Sequence, residues 1–251
     1  MTSSELLNNP VILSTENITK QFGGLTAVDN VSIELHKGEI LGLIGANGAG
    51  KTTLFNMISG SFRPTSGRIV FKGTQIQKMS PNKICRLGLG RTYQIVQPFM
   101  SLTVLENTMV GALLRHPGVK DAKKSAEEIL EFVGLERRKD IVGSALNIPE
   151  LKRMEVARAL ATEPSVLLLD EVMAGLNPSE SAQVIELVRS IRDKGISIII
   201  IEHVMKAIMN LSDRIYVLNQ GKLIATGTPS DITQNSEVIK SYLGEKSYAK
   251  G

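Results

Sequence analysis

A single cysteine, Cys85, stands in 251 residues, so no disulfide can close within the chain and a reducing compartment is expected. Beside Ile84 and Leu87 it reads as a small apolar residue. Long hydrophobic runs are missing too. The longest, near 166–169 and 198–201, fall far short of a bilayer's thickness. The opening stretch, 1–9, is polar with an acidic Glu5 and does not read as a signal peptide. The chain is therefore expected not to cross a membrane by itself. Basic charge is not concentrated either. The net charge is +4, with only small clusters at 120–124 and 137–139, so no nucleic-acid partner is expected. Internal repeats and low-complexity linkers are absent, and the length suits one domain with subdivisions.

What is present begins at residues 45–53, which read Gly-Ala-Asn-Gly-Ala-Gly-Lys-Thr-Thr. An apolar run from Ile40 to Ile44 precedes them and Leu54, Phe55, Asn56, Met57 and Ile58 follow, the order strand, glycine-rich loop, helix. Gly45, Gly50, Lys51 and Thr52 meet the pattern G-x-x-x-x-G-K-[ST] of a phosphate-binding loop. Glycines let successive N–H groups converge on phosphate oxygens, and the helix start adds unpaired N–H groups. The expected contacts are Gly45, Asn47, Gly48, Gly50, Lys51, Thr52 and Thr53. Lys51 reaches the β- and γ-phosphates, and the Thr52 hydroxyl ligates Mg²⁺. A nucleoside triphosphate is the expected ligand.

Upstream, 11–20 and 27–35 read as strands joined at Gly23 and Gly24. Downstream come a short strand at 68–71 and a helix from Pro81. From about 103 to 162 the texture is helical. Thr103 and Glu106 form a capping box opening a helix to about Arg115. Ala126, Ile129, Leu130 and Val133 give the next helix one apolar face, and a third after Pro149 turns Leu151, Met154, Ala157, Leu160 and Ala161 inward. Strand and helix then alternate: strands at 166–169, 196–201, Arg214–Asn219 and 223–226, helices at Pro178–Asp193 and 204–211. Fully apolar central strands alternating with helices indicate an α/β fold with a parallel sheet covered on both faces.

Asp170 and Glu171 end one such strand. Side chains alternate along a strand, so the two carboxylates can take different roles: Asp170 holding Mg²⁺ and Glu171 polarising the attacking water. His203 follows the neighbouring apolar strand, where its imidazole would contact the γ-phosphate or position the water. Gln94 offers a neutral amide for water or for the magnesium shell, uninformative by itself. Phe22 is either stacked on a base or packed in the core. His36 and His116 lie in turn-like, polar contexts and receive no role.

Residues 45–52, Gln94, 167–171 and His203, in this order and spacing, resemble the ATP-binding cassette ATPases over nearly the whole chain. Residues 174–178 look like that family's loop across the dimer interface, and 156–160 like the helix after its signature. The resemblance implies a P-loop (RecA-like) parallel-sheet core, about 11–95 and 163–228, with an N-terminal antiparallel β subdomain. It adds a helical subdomain at about 96–162 and a C-terminal extension at 229–251. It also implies two cassettes sandwiching two ATP molecules, with Gln94 and His203 in catalysis.

Residues 90–94, 102–107, 174–178 and 242–245 look like the ATPase subunits of branched-chain amino acid uptake systems. Relatives importing urea, amides or organic acids share those stretches, so the solute rests on analogy. The implied partners are transmembrane permease subunits, a second and different ATPase (a homodimer being the alternative) and, indirectly, a periplasmic or extracellular solute-binding protein. The implied place is the cytoplasmic face of the membrane. Pro98, Phe99 and Met100 would be an apolar docking patch or else a buried loop. A cassette ATPase acting on nucleic acid or ribosomes and a lipid or glycan exporter are the rival readings. A small GTPase fails for want of an Asn-Lys-x-Asp motif, since Cys85 stands where Asn82 and Lys83 would need the acid.

One departure is marked. The family's signature is Leu-Ser-Gly-Gly-Gln, and here stand Leu146, Asn147, Ile148, Pro149 and Glu150. Asn147 can cap the helix, with Glu150 completing a capping box, and Pro149 is tolerated in a first turn. The resemblance then implies that Asn147 is the cap facing the opposite ATP. Pro149 removes one N–H, and Glu150 puts a charge where the family has a neutral amide.

Overall fold

In the computed structural model, which describes residues 8–93 and 98–240, the first described elements are β1 (Val11–Phe22), β2 (Leu25–His36), β3 (Ile40–Ile44) and α1 (Lys51–Ile58). Next come β4 (Ser66–Phe71), β5 (Thr74–Gln75), α2 (Pro81–Leu87), β6 (Leu89–Arg91), α3 (Val104–Ala112), α4 (Val119–Phe132) and α5 (Ile148–Leu160). The last described elements are β7 (Val166–Asp170), α6 (Pro178–Asp193), β8 (Ser197–Ile201), α7 (Met205–Leu211), β9 (Arg214–Asn219), β10 (Lys222–Gly227), α8 (Pro229–Gln234) and α9 (Ser236–Val238). Two units divide the chain: Met1–Ile84 with Ser197–Gly251, and Cys85–Ile196.

In the first unit β2, β1, β4 and β5 form an antiparallel sheet in that order. Val31, Ile33 and Leu35 point inward while Ser32 and Glu34 stay exposed, the period of two that half-buried strands require. β3 is buried at every residue and pairs in parallel with β8 on one side and β9 on the other, and β10 returns antiparallel to β9. Strands covered on both faces need no alternation, which is why β3 and β8 read as unbroken apolar runs. This is the expected α/β architecture. His36, placed by sequence in a polar turn, is instead buried, with Nδ1 2.8 Å from the Asn9 carbonyl.

In the second unit β6 and β7 pair in parallel, and α3, α4 and α5 pack on one another around Ala112, Ala122 and Ala161. Small residues there let the helices approach closely. The boxes at Thr103, Asn147 and Asn177 are all formed, each with its acidic residue closing back on the cap N–H. α3 ends at Ala112 rather than near Arg115, the chain continuing in turns. Leu151, expected inward, is only half-buried, as is Cys85.

Candidate functional site

The phosphate loop lies in the first unit between β3 and α1. A Cβ at Gly45 would stand 2.2 Å from the Leu218 carbonyl oxygen, and one at Gly50 2.5 Å from that of Ala27, so neither position admits a side chain. Ala49 O accepts the Gly221 N–H at 3.0 Å and Gly221 O accepts the Asp29 N–H at 2.8 Å, anchoring the loop to its neighbours. Gly50 caps α1 without a side chain, and the helical ladder starts with Leu54 N–H to Gly50 O at 2.9 Å. The N–H groups of Lys51, Thr52 and Thr53 thus precede the ladder, at the positive end of the helix. The Lys51 ammonium is buried and donates to the carbonyls of Gly45 at 2.7 Å and Ala46 at 3.0 Å. Asn47, Gly48 and Thr52 are exposed, and Thr53 half-buried. A cradle of N–H groups with one cation beside an exposed hydroxyl suits a polyphosphate and its metal.

Two further candidates belong to this unit. Phe22 is exposed, which overturns core packing as its role. Its ring meets that of Phe62 edge-on at 5.5 Å between centroids, with the Lys20 ammonium 5.0 Å from the Phe22 centroid. His203 is exposed just beyond β8, whereas Glu202 beside it is buried.

The second unit brings Asp170 and Glu171 to the end of β7, both buried. Asp170 Oδ2 lies 3.2 Å from an Arg91 guanidinium nitrogen, while its Oδ1 is buried with no hydrogen-bond partner. Burial raises the carboxyl above its ordinary range, and the Arg91 charge and hydrogen bond pull it back. Arg91 in turn faces the Tyr93 ring at 4.8 Å. Glu171 has φ 51°, a left-handed conformation rarely adopted by a residue with a long side chain. Its carbonyl oxygen accepts from the Lys152 ammonium at 2.9 Å and from the Ala174 N–H at 3.2 Å.

Asn147 caps α5, accepting the Glu150 N–H at 2.9 Å, and a Glu150 oxygen accepts the Asn147 N–H at 3.1 Å. The helix start therefore survives the altered signature. Arg138, in the turn Glu136–Arg138, donates to the other Glu150 oxygen at 2.6 Å. Phe99 and Met100 are exposed, which overturns the buried-loop alternative. The loop is nonetheless ordered. Buried Asn107 accepts the Phe99 N–H at 2.9 Å and donates to Phe99 O at 3.1 Å, and the Arg158 guanidinium faces the Phe99 ring at 5.2 Å. Gln94 lies outside the described residues.

Sequence reasoning missed Lys152, Glu155, Arg91 and Arg138. The nearest signal was that Lys152 and Glu155 interrupt a run of apolar residues on α5 that are buried beside them.

Residues 28–174 match the ABC transporter family, and 222–247 match the branched-chain amino acid ATP-binding cassette transporter family. The chain is 41% identical over 250 residues to the high-affinity branched-chain amino acid transport ATP-binding protein LivG of Escherichia coli (strain K12), covering 93% of this chain and 98% of that one. It is 38% identical to BraF, the corresponding protein of Pseudomonas aeruginosa, with the same coverage. The crystal structure of the ADP conformation of an ATP-binding cassette of an ABC transporter superposes with a TM-score of 0.86 at 33% identity, over 94% of this chain and all of the other. A glycine loop shaped for phosphate, a buried acidic strand end and these likenesses converge: the chain belongs to the ABC transporter family, as one of its ATP-binding cassettes, and is an ATPase coupled to transport.

Proposed function

We propose that this chain is the ATP-hydrolysing subunit of an importer for branched-chain amino acids or a closely related small polar solute. The observation that carries the solute class is the match of residues 222–247 to the branched-chain cassettes, since 28–174 alone would fit cassettes of any cargo. Within that reading the 45–53 loop takes the phosphates, Lys51 neutralises the β- and γ-oxygens, and Phe22 stacks on the base. Glu171 accepts a proton from the attacking water, with Gln94 and His203 orienting that water. Mg²⁺ would take hard-oxygen donors, of which the Thr52 hydroxyl in the first unit and the unpartnered Asp170 Oδ1 in the second each offer one, with the Gln94 amide a further candidate. Bound there, the ion would offset the charge building on the β- and γ-phosphates.

Among the described residues no helix is long and apolar enough to cross a membrane, so permease subunits must supply the pathway. We assign the exposed Phe99 and Met100 to the permease contact, on the cytoplasmic face of the membrane. The altered loop at Asn147 to Glu150 fits best in a pair with a second, different cassette. A solute-binding protein delivers cargo from the other side. A strain deleted for this gene should lose uptake of labelled leucine, isoleucine and valine, and regain it from the wild-type gene but not from Glu171→Gln. Unaltered uptake of all three, with loss of another solute, would overturn the assignment. Permease and binding-protein genes beside this one would support it.

A further inference from the structure

Helix α5 begins at the Asn147 cap and buries the apolar residues Met154, Val156 and Ala157. Two ionisable residues one turn apart, Lys152 and Glu155, are buried among them, where an unpaired charge is costly. Lys152 bonds to the main chain just beyond one strand, and Glu155 does so beyond another while also accepting from the Arg158 guanidinium at 3.2 Å. The Lys152 ammonium donates to the Glu171 carbonyl, directly after β7, and the Glu155 carboxylate accepts the Tyr93 N–H, two residues after β6. Residue 171 is also where the backbone takes its left-handed turn. Lys72, Glu163 and Gln220 take the same conformation, which costs any residue but glycine some strain, so the bonds that fix the turn at 171 matter. Two bonds converge on the carbonyl oxygen there, and the one from outside the local turn comes from Lys152.

We propose that Lys152 is a positioning residue for catalysis: by fixing the carbonyl of Glu171 it holds the left-handed turn that aims the Glu171 carboxylate. This rests on the reading of Glu171 as the base. No step of the chemistry passes through Lys152 itself. Its effect is geometric, and misplacing a reacting group by about 1 Å can cost two decades in rate.

The test uses the full chain and compares Lys152→Met, which keeps the stem and removes the donors, with Lys152→Arg, which keeps a cation. Lys152→Met should lower kcat by about ten- to a hundredfold while ATP affinity, measured separately by titration, moves less than about threefold. Amide exchange in the nucleotide-free chain should accelerate at Val172, Met173 and Ala174, and Lys152→Arg should recover most of kcat. In a Glu171→Gln background, Lys152→Met should lower residual turnover no further. A wild-type kcat in Lys152→Met would overturn the proposal, as would a parallel loss of kcat, ATP affinity and thermal stability that Lys152→Arg fails to rescue. If instead Glu171→Gln alone turns over normally, it is the reading of Glu171 as the base that fails.

Discussion

The Arg138 guanidinium sits 2.6 Å from one oxygen of Glu150, whose other oxygen closes the capping box on Asn147. The charge that the altered loop adds is therefore already engaged, and it faces a bound anion less than the bare sequence implies. Arg138→Ala should weaken ATP-dependent pairing of the cassette by roughly two- to fivefold, the scale of a partly exposed ion pair. Glu150→Gln in the same background should restore it, because glutamine keeps the cap. Sedimentation of the Glu171→Gln protein with ATP reads both effects. Weakening that Glu150→Gln leaves untouched would mean the charge is not the cause.

A pair of unlike cassettes should behave asymmetrically. In the proposed pairing, losing one N–H to a γ-phosphate through Pro149 would cost on the order of 1.5–3 kcal/mol in the site facing this loop. In the proposed pairing, ATP held by this chain's own phosphate loop would meet the partner's loop instead. Glu171→Gln here should abolish uptake, while the equivalent change in the partner leaves a measurable rate. Equal losses, or a fully active homodimer of this chain, would refute the asymmetry.

Lys51 is held by the carbonyls of Gly45 and Ala46. Those bonds keep the ammonium inside the loop proposed to receive the phosphates. Lys51→Ala should lower ATP affinity by roughly ten- to a hundredfold and ADP affinity less, the scale of one charge-assisted bond. Parallel titrations of the two nucleotides decide it, and unchanged ATP affinity would remove 45–53 from the site.

Phe99 is 45% exposed and Met100 57% exposed on a loop that Asn107 pins from beneath. Phe99→Asp should therefore leave unfolding temperature and ATP binding close to wild type while uptake falls at least tenfold, an interface anchor being worth about 2 kcal/mol or more. Thermal melts and vesicle transport assays separate the two. Normal transport would place the permease contact elsewhere.

Burial pushes the Glu155 carboxyl above its ordinary 4.5, against the pull of Arg158, the Tyr93 N–H and Lys152. The folded chain thus holds this proton to higher pH than the unfolded chain does. The associated stability is complete below pH 4.5 and is lost as pH rises through the folded-state value. Glu155→Gln removes the titration, so the stability difference between mutant and wild type should tilt toward the mutant from pH 4.5 upward and then level off. Denaturant unfolding from pH 4.5 to neutrality checks this. Parallel curves, or a tilt the other way, would contradict it.

Local signals carried most of the fold. Pro178–Asp193 was readable to the residue because Asn177 and Glu180 mark its start and Gly195 follows its end. The loop at 45–53 and the acids closing β7 were equally plain, since short-range spacing encodes them. What escaped depends on contacts distant in sequence. Lys152 reaches Glu171 across 19 positions and Arg91 reaches Asp170 across 79, and no periodicity announces either. A lysine near the start of a helix ordinarily reads as solvated. His36 was misjudged for a related reason: its partner is the main chain of Asn9, which carries no side-chain signature.

The left-handed backbone at residue 171 also bears on how this sequence can drift. At φ 51° glycine or asparagine rests more comfortably than glutamate. A population selected only for resistance to heat, with no demand for uptake, should collect Glu171→Gly and Glu171→Asn among its early winners. Persistence of the acid under demand for uptake would then mark a position where lineages keep a less stable residue for the sake of turnover.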